Sequence, residues 1–115
     1  MSSEALENRL RARVHSPAMA GWILQTHDET PRVVRITPGV MKTIGRGAQA
    51  DFIFDAPLVS RLHCRLTADV SGQLVMEDLG STNGTSVNGT PTARAVLRSG
   101  DVLGVGRVTF TVTED

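Results

Sequence analysis

Five side chains in the middle of the chain are hydrogen-bond donors placed where loops should begin: Arg46, Ser60, Arg61, Thr82 and Asn83. Each lies at the end of a short alternation of apolar and polar residues. Two guanidiniums, two hydroxyls and an amide, with no acid required among them, suit a dianionic phosphate. Each charge-assisted hydrogen bond contributes roughly 1.5–3 kcal/mol, so three or four decide whether a phosphorylated segment binds. The residue types imply an anion site and leave the anion open.

Ser60 and His63 are three residues apart, a pairing that invites comparison with nucleophilic catalysis. Yet if Ser60 is in a loop and His63 begins a strand, no acid is evidently placed to orient the imidazole. The chain also has no Gly-x-Ser-x-Gly elbow and no phosphate-loop Lys-Ser/Thr, and His15, His27 and His63 are not spaced as a metal set. No catalytic group, metal or cofactor is expected.

Composition sets the remaining bounds. The 115 residues make one domain of ordinary size, large enough to fold around its own core. Twelve basic and twelve acidic residues cancel to a formal net charge of zero, so no global field draws in nucleic acid or an anionic membrane. Trp22, Phe52, Phe54 and Phe110 are the aromatic residues, and they read as inward-packed strand residues, not as a stacking platform for single-stranded nucleic acid. Cys64 is the single cysteine, which excludes an internal disulfide and reads as a small packing residue. No apolar run is long enough for a membrane span, and the N-terminus lacks a secretory core. The expectation is a cytoplasmic protein with no nucleic-acid or membrane partner.

The elements that must position the donors are short strands. Trp22 to Thr26 and Arg32 to Thr37 alternate apolar and polar residues around a turn at 27–31, which predicts a hairpin. Val40 to Ile44 is the next strand, ending at Gly45. Further strands follow at Phe52–Phe54, His63–Ala68, Leu74–Glu77, Thr85–Val87, Ala95–Leu97, Val102–Val105 and Val108–Val112, separated by Gly, Asn, Asp, Pro and Ser. Many short strands, with no helical pattern after residue 14, predict an all-β sandwich or barrel. Asn88-Gly89 predicts a tight turn with positive φ at both positions, and Asn83-Gly84 has the same chemistry. Lys42, Arg65 and Arg32 read as solvated strand charges. Residues 1–20 form a tail and linker, in which Leu6, Leu10 and Val14 could line one face of a short helix if the segment is not frayed. Residues 21–115 form the folded domain.

Gly45-Arg46, the Ser-x-x-His of Ser60 and His63, and Asp-Leu-Gly-Ser-Thr-Asn-Gly-Thr at 78–85, followed by Val-Asn-Gly and Gly100-Asp101, resemble the signature of the forkhead-associated (FHA) domain, a reader of phosphorylated motifs. The resemblance covers about residues 22–113. It implies a two-sheet sandwich of about eleven strands with its binding loops at one end, docking partners that carry phosphothreonine made by a Ser/Thr kinase. By the same resemblance Arg46 and Ser60 contact the phosphate, while Thr82 and Asn83 hold the phosphothreonine and the peptide backbone. His63 braces the loops, supported by Gly45 and Gly84. Arg61 departs from the form of the motif with Asn after the serine, and becomes either a second cation on the phosphate or a partner for an acid in the peptide. Leu58, two residues before the motif serine, implies an apolar preference at the third residue after the phosphothreonine. Gly45 and Gly47 also leave the backbone beside Arg46 open to a ligand.

The rival reading is an assembly module that binds an unphosphorylated partner through a sheet face or the N-terminal helix. In an intramolecular variant, Thr30, in Asp28-Glu29-Thr30-Pro31, or a residue of the tail would fill the protein's own site once phosphorylated.

Overall fold

A computed structural model describes residues 21–115, and the suggested helix or tail at 1–20 lies outside the described residues. Eleven strands form two sheets. The first sheet holds six strands: β1 (Trp22–Thr26), β2 (Val33–Ile36), β7 (Thr85–Val87), β8 (Thr90–Pro91), β10 (Val102–Val105) and β11 (Val108–Glu114). The second holds five: β3 (Met41–Gly45), β4 (Phe52–Ile53), β5 (Cys64–Ala68), β6 (Leu74–Asp78) and β9 (Arg94–Leu97). Their spatial orders are β2-β1-β11-β10-β7-β8 and β4-β3-β5-β6-β9. This is the all-β fold that the alternation predicts, in the two-sheet, eleven-stranded form that the resemblance implies.

Alternation explains why the sheets face each other. Along β5, Cys64, Leu66 and Ala68 are buried while Arg65 and Thr67 are only partly covered. The neighbouring β6 buries Leu74 and Met76 in the same register, with Leu66 opposite Met76. From the first sheet come Leu24, Val34, Ile36, Leu103, Val105, Phe110 and Val112. Fully burying one such side chain contributes about 1.5–3 kcal/mol. A slip of one residue in any pair would turn this set to solvent, so the core itself fixes the register.

Burial also explains Cys64, whose thiol is pushed up to about 12 by desolvation, with a further push from Asp78. It packs as a small apolar residue in the core.

Sequence pattern and structure differ at four places. β8 is a strand of two residues ending in Pro91, too short for alternation to register; it lies at a sheet edge, where proline is tolerated. Phe54 lies just past β4 and not in it, and it packs edge-on against Phe110 with ring centroids 5.1 Å apart. Arg65 is not a solvated charge: its Nε and Nη2 donate to Glu77 Oε1 at 3.1 and 2.8 Å from the facing position on β6. Arg32 stays exposed, as the pattern suggests, but its guanidinium lies over the Phe54 ring, 4.2 Å from its centre. For Phe54, Arg65 and Arg32 the partner comes from a strand or loop distant in sequence, which local pattern does not reveal.

The Asn88-Gly89 turn has positive φ at both residues, 52° and 84°, as its chemistry requires. The Asn88 side chain does more, because Nδ2 donates to Asp101 and Oδ1 accepts the Val102 N–H, tying the turn to the start of β10. Asn83-Gly84 is a different turn, with positive φ at Gly84 alone.

Candidate anion-binding site

Arg46 sits at the end of β3, in a loop held closed by its own chain. β3 and β4 run parallel although only residues 46–51 separate them. Such a short return is held by reciprocal bonds at its base. Asp51 accepts the Thr43 N–H at 2.8 Å and the Thr43 hydroxyl, and that hydroxyl oxygen accepts the Asp51 N–H. These bonds hold the Asp51 carboxyl below the usual carboxylate range, the Thr43 N–H contributing most.

The loop at 58–62 lies directly on the end of β3. His63 N–H donates to Ile44 O at 2.8 Å, Arg46 N–H to Ser60 O at 2.9 Å and Gly47 N–H to Arg61 O at 3.1 Å. A Cβ on Gly45 would stand 2.0 Å from Arg61 O, and one on Gly47 would be 3.1 Å from Arg61 Cβ. This corrects the role expected of the two glycines. They leave room for the protein's own Ser60–Leu62 backbone, not for a ligand against the Arg46 backbone.

Within this frame, the Arg46 Nε donates to Val59 O at 2.9 Å. That bond fixes the guanidinium plane and uses only one of its donors.

His63 is fully buried and joins two loops. Its Nδ1 accepts the Ser60 N–H at 3.0 Å, so the ring proton is assigned to Nε2, which donates to Gly84 O at 2.8 Å. Because Nδ1 already accepts a backbone N–H, its lone pair is not available to the Ser60 hydroxyl. The arrangement differs from a nucleophile and its base, in which the imidazole accepts the hydroxyl proton.

Thr82 and Asn83 are exposed on the β6–β7 loop, which Asp78 organises. Its Oδ2 accepts the N–H groups of Gly80 and Ser81, both at 3.0 Å, and its Oδ1 accepts the hydroxyls of Ser81 and Thr85. Ser81 Oγ in turn accepts the Gly84 N–H at 2.9 Å. Burial would raise the Asp78 carboxyl, but the Ser81 and Thr85 hydroxyls and the loop N–H groups outweigh it, so its pKa lies below the usual range. Asp78, Ser81 and Thr85 were not among the residues singled out from sequence. Their signal is an aspartate followed by Leu-Gly-Ser, in which Asp78 accepts the N–H two residues on, at Gly80, as in an Asx turn, and the Ser81 N–H and hydroxyl one residue further.

The loops then meet. Thr82 N–H donates to Ser60 Oγ at 3.0 Å, and Asn83 Nδ2 approaches Leu58 O at 3.4 Å. Arg46, Ser60, Thr82 and Asn83 are thus linked through three loops at one end of the sandwich, and Arg61 is exposed beside them. Leu58 has φ of +70°, rare for a residue with a Cβ, and its carbonyl is covered from the other side by the β10–β11 turn. A Cβ on Gly106 would be 2.6 Å from Leu58 O. The arrangement offers guanidinium, hydroxyl and amide donors, while Asp78 and Asp51 are both committed to donors of their own loops. Chemically it can receive an oxyanion.

Comparison with known proteins bears on this geometry. Residues 42–106 match the model of the FHA domain family. Over 84 residues the chain is 39% identical to the FHA domain-containing protein FhaA of Mycobacterium tuberculosis, covering 72% of this chain and 15% of that protein. It is 32% identical over 94 residues to the oxoglutarate dehydrogenase inhibitor of Corynebacterium diphtheriae, covering 82% of this chain and 65% of the relative. The chain therefore spans less than two thirds of either relative. A structure solved in a study of phosphothreonine-dependent FHA domain interactions superposes with a TM-score of 0.75 at 34% identity, over 81% of this chain and 95% of the other.

Proposed function

Since the chain belongs to the forkhead-associated family, we propose that it docks partner proteins by binding a phosphorylated threonine, without acting on it chemically. One observation carries this reading: the Ser60 hydroxyl oxygen accepts the Thr82 N–H, which leaves the hydroxyl proton to be donated to a ligand between Arg46 and Thr82. Arg46 supplies the first cation and Arg61 an exposed second. Thr82 and Asn83 contribute the hydroxyl and amide that hold the phosphothreonine and the adjoining peptide backbone. Gly45, His63 and Gly84 support the loops. Leu58 meets the third residue after the phosphothreonine and favours an apolar side chain there.

Threonine is preferred to serine because its methyl can be buried, which is worth about 0.8 kcal/mol, and because β-branching restricts the rotamer. The phosphate should be close to doubly charged when bound, so affinity falls below about pH 6, near its second pKa.

The partner is the product of a Ser/Thr kinase, and the setting is cytoplasmic. No helix among the described residues is long and apolar enough to cross a membrane. The activities of the longer relatives are not carried over, because the chain spans only part of them; what it shares with them is the docking module.

The test is fluorescence anisotropy or calorimetry with a degenerate peptide holding phosphothreonine, phosphoserine or threonine at one position. Micromolar binding to the phosphothreonine pool alone is expected. Equal binding of the unmodified pool would overturn the reading.

A further inference from the structure

We propose that a second cavity at the same end of the sandwich receives an acidic side chain of the partner, so that the docked segment is read at two anionic positions; the inference rests on the phosphothreonine reading above. The cavity is an open cleft of about 280 Å³ between the β1–β2 loop, the β10–β11 turn and Ala56. Ala56 and Val108 line it as half-buried apolar residues, with Arg107, Arg32, His27 and Asp28 among its polar lining.

The charges are unequal. Asp28 pairs with Arg32 at 3.7 Å, with both side chains about half exposed. Arg107 is exposed, and no carboxylate among the described residues pairs with it. Arg32, Arg107 and Asp28 together leave the lining with one more positive charge than negative.

Arg32 is held in place from behind by the Phe54 ring, and the His27 ring is tied to the Thr111 hydroxyl. Two positioned groups and a guanidinium without a carboxylate partner among the described residues, over a small apolar floor, suit the carboxylate and short stem of Asp or Glu.

The cavity is also within reach of the phosphate site. Ala56 and Ser60 are four residues apart and joined by a turn, in which Val59 N–H donates to Ala56 O. Four residues span at most about 14 Å even when extended, and a docked strand advances about 3.3 Å per residue. Leu58 lies between, its carbonyl against the Gly106 turn that carries Arg107. A segment that passes Leu58 at its third residue after the phosphothreonine therefore reaches the cavity with residues four to six. The exposed, left-handed Leu58 then separates two subsites instead of closing one.

Three synthetic phosphothreonine peptides test this, each with Asp at one of the positions four, five or six after the phosphothreonine, beside a peptide with Ala at all three. For the unaltered protein at low salt, one Asp peptide should bind about tenfold more tightly than the Ala peptide. In Arg107→Ala that difference should vanish while affinity for the Ala peptide is unchanged, and in Arg107→Glu a Lys peptide should gain. Arg107 is exposed, so neither variant should affect folding, which thermal melts will verify. If Asp and Ala peptides bind equally while phosphothreonine dependence persists, or if the difference survives Arg107→Ala, this inference is overturned and the reading of the first site stands. Loss of all phosphothreonine dependence would overturn both.

Discussion

The Ser60 hydroxyl oxygen and the Thr82 backbone N–H are 3.0 Å apart and hydrogen-bonded, so two loops separated by 22 positions meet at one atom of the site. Ser60→Ala removes that acceptor together with the donor proposed for the phosphate. Thr82 N–H is exposed and can turn to water, so folding should lose little, about 0.5 kcal/mol. Phosphopeptide affinity should fall about tenfold or more, given roughly 1.5–3 kcal/mol for a hydrogen bond to a charged group. Arg46→Ala should cost about 2 kcal/mol of binding, some thirtyfold, again with little loss of stability. Titration of both variants and their double mutant with one peptide is the check. Unchanged affinity for either would remove that residue from the site.

Gly45 and Gly84 are both motif glycines with opposite physical reasons. A Cβ on Gly45 would collide with backbone, 2.0 Å from Arg61 O, and neither backbone can yield without breaking the pairing of β3 with the Ser60 loop. At Gly84 there is open space, and the constraint is φ of +84°. Gly45→Ala should therefore cost at least about 3 kcal/mol, the upper end for bulk forced into a packed site. Gly84→Ala should cost roughly 1–2 kcal/mol, the penalty of a left-handed residue with a Cβ. Urea unfolding distinguishes them, and equal losses would mean that the Arg61 backbone is free to move.

His63→Ala should act on stability before it acts on binding. The ring is fully buried and satisfies Ser60 N–H and Gly84 O at once. Removing it leaves a cavity and two backbone groups without partners, about 3 kcal/mol together. Affinity for a phosphopeptide should fall as well, because the loops carrying Ser60 and Asn83 lose their common brace. Proton exchange at Ser60 and at residues 79–84 should accelerate more than in the distant strands β1 and β2. Uniform acceleration across the domain would show that His63 holds the whole fold, not these two loops.

How far these relations were legible in the sequence depends on how local they are. Alternation placed the strands because side chains on a strand repeat every two residues, and Asn88-Gly89 announced its turn because positive φ needs those residue types. The donor residues stood out because they punctuate the alternation at loop starts. What stayed hidden depends on approach between distant segments. Gly45 looked like a residue that clears space for a ligand, and only the packed Arg61 backbone shows what fills that space. Arg65 reads as solvated until the facing Glu77 is in place, and Arg32, though exposed, has a contact with the Phe54 ring that local pattern does not show. Asp78 is not a donor, so a search for groups that meet an anion passes over it. In the fold its charge is turned inward onto the hydroxyls and N–H groups of its own loop.

That inward turn makes the site loop sensitive to acid. The Asp78 carboxyl lies below its usual range of about 3.9, because the hydroxyls of Ser81 and Thr85 and the N–H groups of Ser81 and Gly80 outweigh its burial. A carboxyl depressed in the folded state contributes stability that is fully present above the unfolded value and lost as pH falls through the folded one. Protonation would place a hydrogen where four donors converge, and the loop that presents Thr82 and Asn83 would open. Below about pH 4, then, the unfolding free energy should decline with falling pH. Asp51, Asp69 and Glu77 are depressed as well and share in that decline. Asp78→Asn should remove only its own portion. The amide keeps one acceptor oxygen but its nitrogen cannot accept the Gly80 and Ser81 N–H groups, so the variant should be less stable at pH 7 and show a shallower slope below pH 4. Urea unfolding from pH 7 to pH 2 on both proteins measures the two slopes. Identical slopes would mean that Asp78 titrates alike in the folded and unfolded chains, and the loop would then owe its shape to the Ser81 and Gly84 bonds alone.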